Sequence, residues 1–235
     1  EFDLRHVFTE EMEDAAAAAS LPELGKREDL RAIPLVTIDG EDAKDFDDAV
    51  FAEPAPENCW RIIVAIADVS TYVQSGDILD KEARQRGNSV YLPGTVVPML
   101  PEALSNGLCS LRPHEDRACL AVEMIIDSGG KKQSHKFFQA LIRSSARLTY
   151  TLVQQVIEGS LDEADCKVTP GTLHHLIGAF RTLHKSRNRR GTLNLNLSEA
   201  RIQFDETDKP VSVTEHHQEE AHQLIEEFMI AANTC

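Results

Sequence analysis

Six carboxylates fall within ten residues of this chain: Asp39, Glu41, Asp42, Asp45, Asp47 and Asp48. An apolar run, residues 35–38, leads into them and another, residues 49–52, leads out. Like charges gathered at a sheet edge repel one another, so this framing suggests a compensating cation. All the candidate ligands are oxygen donors, which suits Mg2+, Ca2+ or Mn2+ and not a soft metal. An EF-hand is the first alternative. Counted from Asp39, its glycine position holds Lys44 and its final glutamate position holds Val50, so it fails at both. Mg2+ keeps much of its water and takes only one or two carboxylates plus substrate phosphate. Several aspartates could therefore serve two ions about 4 Å apart, as in two-metal phosphoryl-transfer enzymes. Spacing alone leaves three readings open: metal-dependent phosphodiester chemistry, a structural Ca2+ site, and a solvated acidic turn.

The elements that must position this loop can be read from pattern. Residues 35–38 and 49–52 are β-prone, and residues 60–67 form the clearest strand, following a Pro-rich turn at 53–58. Residues 119–126 and 133–142 read as a second hairpin around Asp127-Ser-Gly-Gly130. Residues 89–92 form a short strand, and 192–197, 201–204 and 211–215 are short extended runs. Helices are expected at 10–19 behind Thr9 as N-cap, at 79–86 before Gly87, near 150–158 and 171–189, and at 219–233. One helical turn is expected near 102–104, and residues 21–33 read as a linker. Interspersed strands and helices with several antiparallel hairpins predict an α+β fold: a mixed, largely antiparallel β-sheet with flanking helices.

Composition narrows the class. The 235 residues are 42% hydrophobic and 27% charged, which is ordinary for a globular chain and argues against disorder. No run approaches the roughly 18 apolar residues of a membrane span, and the first residues lack the apolar stretch of a signal peptide. Five cysteines without a CxxC pair make a poor disulfide framework, so reduced thiols and a cytoplasmic location are expected. The formal charge of −15 argues against a general nucleic-acid-binding surface. It does not exclude a local site, because carboxylates that hold metal ions attract phosphate once the ions are bound.

The stretch from Arg31 to Val50 resembles the opening motif of the RNB catalytic domain of the ribonuclease II and ribonuclease R family. The resemblance continues in order through Val64–Ser70, Ser89–Gly94, Val97–Pro101, Leu104–Leu111, Ala146–Tyr150 and Ile225–Asn233. Arg5–Thr9 and the Asp39-Gly-Glu-Asp42 form are more similar to ribonuclease R than to ribonuclease II. On this resemblance residues 1–33 are an N-terminal helix and linker, and 34–235 are the N-terminal part of an RNB-type catalytic domain.

The resemblance implies a processive 3′→5′ exoribonuclease that acts on single-stranded RNA with Mg2+, or Mn2+, and releases nucleoside 5′-monophosphates. It implies Asp39, Asp45 and Asp48 as metal ligands, and Asp47 as the aspartate whose loss abolishes chemistry with little effect on binding. Tyr91 and Tyr150 match aromatic positions near the RNA 3′ end, where a ring can stack on a base without choosing sequence. Glu226, beside Glu227, matches a contact to a terminal nucleotide, and a second stacking position falls near Leu195.

The basic run His184–Arg190 is either an RNA backbone contact or a helix terminus favoured by the macrodipole. His174-His175 and His216-His217 read as surface histidines.

The family's Thr-Ser-Pro-Ile stretch and Arg-Arg pair, which carry its catalytic arginine, are not among these residues; nor are the flanking OB-type and S1 modules. A truncated catalytic domain is therefore expected, weakly active or inactive unless the missing half or a second chain completes it. The rivals are a non-catalytic RNA-binding or regulatory module of the same fold, and a structural Ca2+-binding protein.

Overall fold

The computed structural model describes residues 5–92, 94–192, 199–204, 209–216 and 218–235. Its centre is a seven-stranded mixed sheet. The strands are β1 (Glu28–Asp29), β2 (Val36–Asp39), β3 (Asp48–Ala55), β4 (Cys59–Ala67), β7 (Asp116–Ile126), β8 (Lys132–Arg143) and β9 (Ala146–Thr149), with β5 (Val90–Leu92) and β6 (Thr95–Val97) forming a separate hairpin. The spatial order is β1-β8-β7-β4-β3-β2-β9, with β1/β8 and β2/β9 parallel and the other pairs antiparallel. The helices are α1 (Glu10–Ala17), α2 (Ile78–Arg86), α3 (Tyr150–Glu158), α4 (Thr172–Arg189) and α5 (Glu220–Asn233). β10 (Glu199–Phe204) and β11 (Pro210–His216) pair antiparallel.

The sheet is covered on both faces, which explains why β4 reads as a continuous apolar run and not as an alternation. Ile62 and Val64 face one core with Val50, Met124, Leu176, Phe180, Leu224 and Phe228, under α3, α4 and α5. Ile63 and Ala65 face the other, with Phe51, Leu79, Leu104 and Leu111, under α1 and α2. On the first face Gly178 lets α4 come close. A Cβ there would stand 2.7 Å from the Trp60 ring, whose Nε1 donates to Thr182 Oγ1 at 3.1 Å.

The elements match the sequence reading to within a residue or two at most ends. Thr9 caps α1 by accepting from the Met12 N–H, and Gly87 and Gly159 end α2 and α3 with positive φ. Two differences have physical causes. The single turn expected near 102–104 is a π-helical segment, Ala103–Leu108, in which Cys109 N–H reaches Leu104 O at 2.9 Å. Within the linker, β1 joins the sheet edge; two residues are too few to show an alternation, and their pairing with Ala140 and Leu141 is long-range. The runs at 201–204 and 211–215 are β10 and β11. Residues 193–197, and with them Leu195, lie outside the described residues.

All five cysteines are free. Among the described residues no helix is long and apolar enough to cross a membrane.

Candidate active site

Asp39 is the last residue of β2 and Asp48 the first of its antiparallel neighbour β3, so the two strands present both ends of the acidic loop at the same end of the sheet. The loop between them is anchored from below. Phe46 is buried, and its N–H donates to Ser110 Oγ at 3.0 Å while its carbonyl accepts from Leu111 N–H at 2.8 Å. The same Ser110 hydroxyl donates to Lys44 O at 2.8 Å, and Asp47 O accepts from Ala67 N–H at 2.9 Å. Burying Phe46 between two acids forces Asp45 and Asp47 outward on either side of it. From above, Arg147 of β9 donates to Gly40 O and Glu41 O, and Thr151 donates to Glu41 Oε1 at 2.8 Å.

The carboxylates so gathered disturb one another. Burial pushes Asp48 up to about 7, and the charges of Asp39 and Asp47 push in the same direction. Asp48 Oδ2 is buried and has no hydrogen-bond partner. Asp47 is raised by desolvation, then by Asp45 and Asp39. Asp39 is raised by burial and by Asp45, although its hydrogen bond from Gly40 N–H, at 2.6 Å, and Arg147 pull the other way.

Asp45 accepts from the Tyr91 hydroxyl at 2.6 Å, and that bond is the main reason the phenol is held above its usual value. Tyr150, the first residue of α3, is pushed up to about 12 by burial and then by Asp39 and Asp48. Both tyrosines therefore border the acids.

The donor set fits a hard divalent cation: clustered carboxylates whose mutual repulsion a cation would relieve, and a buried oxygen that lacks a partner. No trio of His, Cys, Asp or Glu among the described residues is already arranged to hold an ion. Asp39 Oδ1 is engaged by Gly40 N–H and Asp45 Oδ2 by the Tyr91 hydroxyl.

The other expected site residues are placed less simply. Tyr150 stacks on His222 of α5, with ring centroids 4.1 Å apart and planes at 19°. Glu226 lies one helical turn beyond His222 and accepts from Arg187 at 2.7 Å and from Gln218 at 2.9 Å. Burial would raise Glu226, but those two bonds outweigh it and hold the carboxyl below its usual range. Part of the basic run turns inward, Arg187 and His184 reaching Glu227 at 3.2 Å, whereas Lys185, Arg189 and Arg190 are exposed, Arg189 donating to Gly129 O at the surface. His174 pairs with Glu163 at 2.8 Å and His175 tilts against Trp60. His216 side chain and His217 lie outside the described residues.

Asp68 is acidic and close in sequence to the strand end, yet it does not join the group. It is buried and fully engaged by Ser70, Thr71 and Arg27, and those contacts overcome burial to hold it low.

Sequence reasoning gave no role to Ser110 or Arg147. Both sit inside stretches that carry the family resemblance. Their contacts span 64 and 107 residues, however, so no local pattern announces them.

A mixed, largely antiparallel sheet with helices on both faces, whose β2 and β3 ends carry a cluster of carboxylates near two tyrosines, defines an α+β domain with an acidic site. The chain belongs to the RNB domain family, whose model matches residues 27–235. It is 48% identical over 217 residues to Ribonuclease R of Vibrio parahaemolyticus, covering 91% of this chain and 26% of that protein. To Ribonuclease R of Escherichia coli K12 it is 46% identical over 227 residues, covering 95% and 28%. Among solved structures it is similar to Mycoplasma genitalium RNase R in complex with ribose methylated single-stranded RNA. The TM-score is 0.91 at 31% identity, over 98% of this chain and 36% of that one. The chain thus spans little more than a quarter of the length of these two curated relatives.

Proposed function

We propose that this chain supplies the carboxylate half of an exoribonuclease site that hydrolyses single-stranded RNA from the 3′ end to nucleoside 5′-monophosphates. The buried, partnerless Asp48 Oδ2 carries this reading. A carboxylate pushed up to about 7 by burial, with the charges of Asp39 and Asp47 adding to it, is costly unless a cation shares the site. Asp39, Asp45 and Asp48 are the residues to hold Mg2+ or Mn2+, with Asp47 completing the charge. Bound in a pair, such ions supply an activated water and charge stabilisation for the leaving 3′-oxygen.

The protein's own groups supply the rest. Tyr91, 63% exposed, offers a ring face to a base at the rim of the acids. Tyr150 is backed by His222, so only its other face is open to a nucleotide. Glu226 already accepts two hydrogen bonds, so a contact to a terminal sugar would share or replace the one from Gln218.

The arginine that the family uses against developing phosphate charge would come from the remainder of the domain, joined to this chain or as a second chain. Five free cysteines suit a reducing compartment such as the cytoplasm.

The test uses single-stranded RNA labelled at every phosphate, so that released mononucleotides are seen, with Mg2+ or EDTA. The chain is assayed alone, fused to the remaining part of a relative's RNB domain, and as Asp47→Asn in both forms. Metal-dependent release of 5′-mononucleotides by the fused form, weak for the chain alone and absent in the variant, is the expected result. A fused form that binds RNA but never cleaves it would leave a binding module of the same fold.

A further inference from the structure

The acidic loop is held below by Ser110, a buried hydroxyl inside the core, and above by Arg147, an exposed cation. The parallel pairing of β9 with β2 sets Arg147 opposite Thr37 and Thr149 opposite Asp39, so the arginine stands on the strand that flanks the first acid. Its Nη2 donates to Gly40 O at 3.0 Å and to Glu41 O, the two carbonyls that follow Asp39. Its guanidinium carbon lies 5.3 Å from the centre of the Phe46 ring, which stands between Asp45 and Asp47. One planar group therefore touches both limbs of the loop that carries the acids.

We propose that Arg147 is a positioning residue for the metal site, a clamp that keeps the two limbs of the loop closed so that its aspartates converge. The proposal rests on the reading of these aspartates as metal-holding.

Two effects of Arg147 on a bound cation oppose each other. Its charge repels the cation, so removing it would tighten binding. Its clamp prepays the ordering of the ligands, so removing it would weaken binding. The guanidinium is exposed to solvent and its repulsion is screened, whereas the loop geometry is not. The clamp should therefore decide the outcome. A lysine cannot reproduce it, because a point charge on a flexible stem does not span two carbonyls and a ring face together.

The test compares the full chain with Arg147→Lys and Arg147→Gln in three measurements: Mn2+ binding by electron paramagnetic resonance, single-stranded RNA binding in EDTA, and metal-free hydrogen–deuterium exchange. Mn2+ affinity is expected to fall by about tenfold or more in Arg147→Gln, and at least as far in Arg147→Lys, which loses the clamp but keeps the repelling charge. RNA affinity should stay within about twofold, a split that general loosening of the fold would not produce. Exchange should quicken over residues 40–47 and stay unchanged in β4 and β7.

Arg147→Gln binding Mn2+ as tightly as the parent, or more tightly, would overturn the proposal, as would unchanged exchange over 40–47. A parent chain that binds no Mn2+ would count against the metal reading itself. Exchange would then decide the clamp alone.

Discussion

The Tyr91 hydroxyl donates to Asp45 Oδ2 at 2.6 Å across 46 residues of sequence. This bond ties the β5–β6 hairpin to the acidic loop. It also joins a side chain suited to stacking on RNA with one suited to holding a metal. The bond is charge-assisted and occupies Asp45 Oδ2, an oxygen that a cation at the acids would compete for.

Removing the hydroxyl and removing the ring should therefore separate. Tyr91→Phe keeps the stacking face and frees Asp45. RNA affinity measured by anisotropy in EDTA should stay within about twofold, and Mn2+ should bind as well or better. Tyr91→Ala should cost about 1–3 kcal/mol of RNA binding, the usual worth of one stacked base. Equal losses in the two variants would assign the effect to the hydroxyl and sink the stacking role.

Asp48 should make the metal-free chain less stable as pH rises. Its folded value is about 7, against 3.8 for the free group. Between those values the native state holds a proton that the unfolded state has released, so stability falls with rising pH. The loss should begin near pH 4 and be complete above pH 7, amounting to at most about 4 kcal/mol. Urea unfolding at pH 5 and pH 8 in EDTA checks this: Asp48→Asn should flatten the slope and be the more stable chain at pH 8. Mg2+ should raise the melting temperature of the parent more at pH 8 than at pH 5. A parent whose stability does not change across that range would refute the assignment.

Ser110→Ala should destabilise the fold by about 1–3 kcal/mol, because it leaves the buried Phe46 N–H without its acceptor and Lys44 O without its donor. Urea denaturation measures the loss. Exchange should quicken over residues 44–47 first, since those amides lose their anchor. A loss below about 0.5 kcal/mol would mean that the loop's other contacts, from Leu111, Ala67 and Arg147, suffice to hold it.

Gly178→Ala tests the packing of α4 on the sheet. Alanine is favoured over glycine in a helix by about 1 kcal/mol. Here its Cβ would stand 2.7 Å from the half-buried Trp60 ring, which is fixed by its bond to Thr182. Overpacking should win, with a net loss of about 1–2 kcal/mol and a shift in Trp60 fluorescence. A more stable variant would show that the ring can move aside.

Chain sequence alone determined the strands and helices that carry strong local patterns. The apolar run of β4, the hairpin turns, and the caps at Thr9 and Gly87 depend on neighbours a few residues away, and such preferences are written locally. The chemistry of residues 39–48 was legible for the same reason: six acids between two apolar runs need no tertiary contact to be seen. The sequence equally suggested Tyr91, Tyr150 and Glu226, but only by resemblance.

Tertiary structure decided which acids share an environment. Asp68 resembles the others in type and place, yet Arg27 and two hydroxyls satisfy it, while Asp48 is left with a bare buried oxygen. The fold also decided that Glu226 is held by Arg187, that Tyr150 stacks on His222, and that His184 and Arg187 of the basic run turn to Glu227 while Lys185, Arg189 and Arg190 stay exposed. It brought Ser110 and Arg147 to the acidic loop as well. Each of these outcomes depends on which strands and helices become neighbours. That choice is made by burial summed over two cores, and a single stretch of sequence holds only one side of each contact.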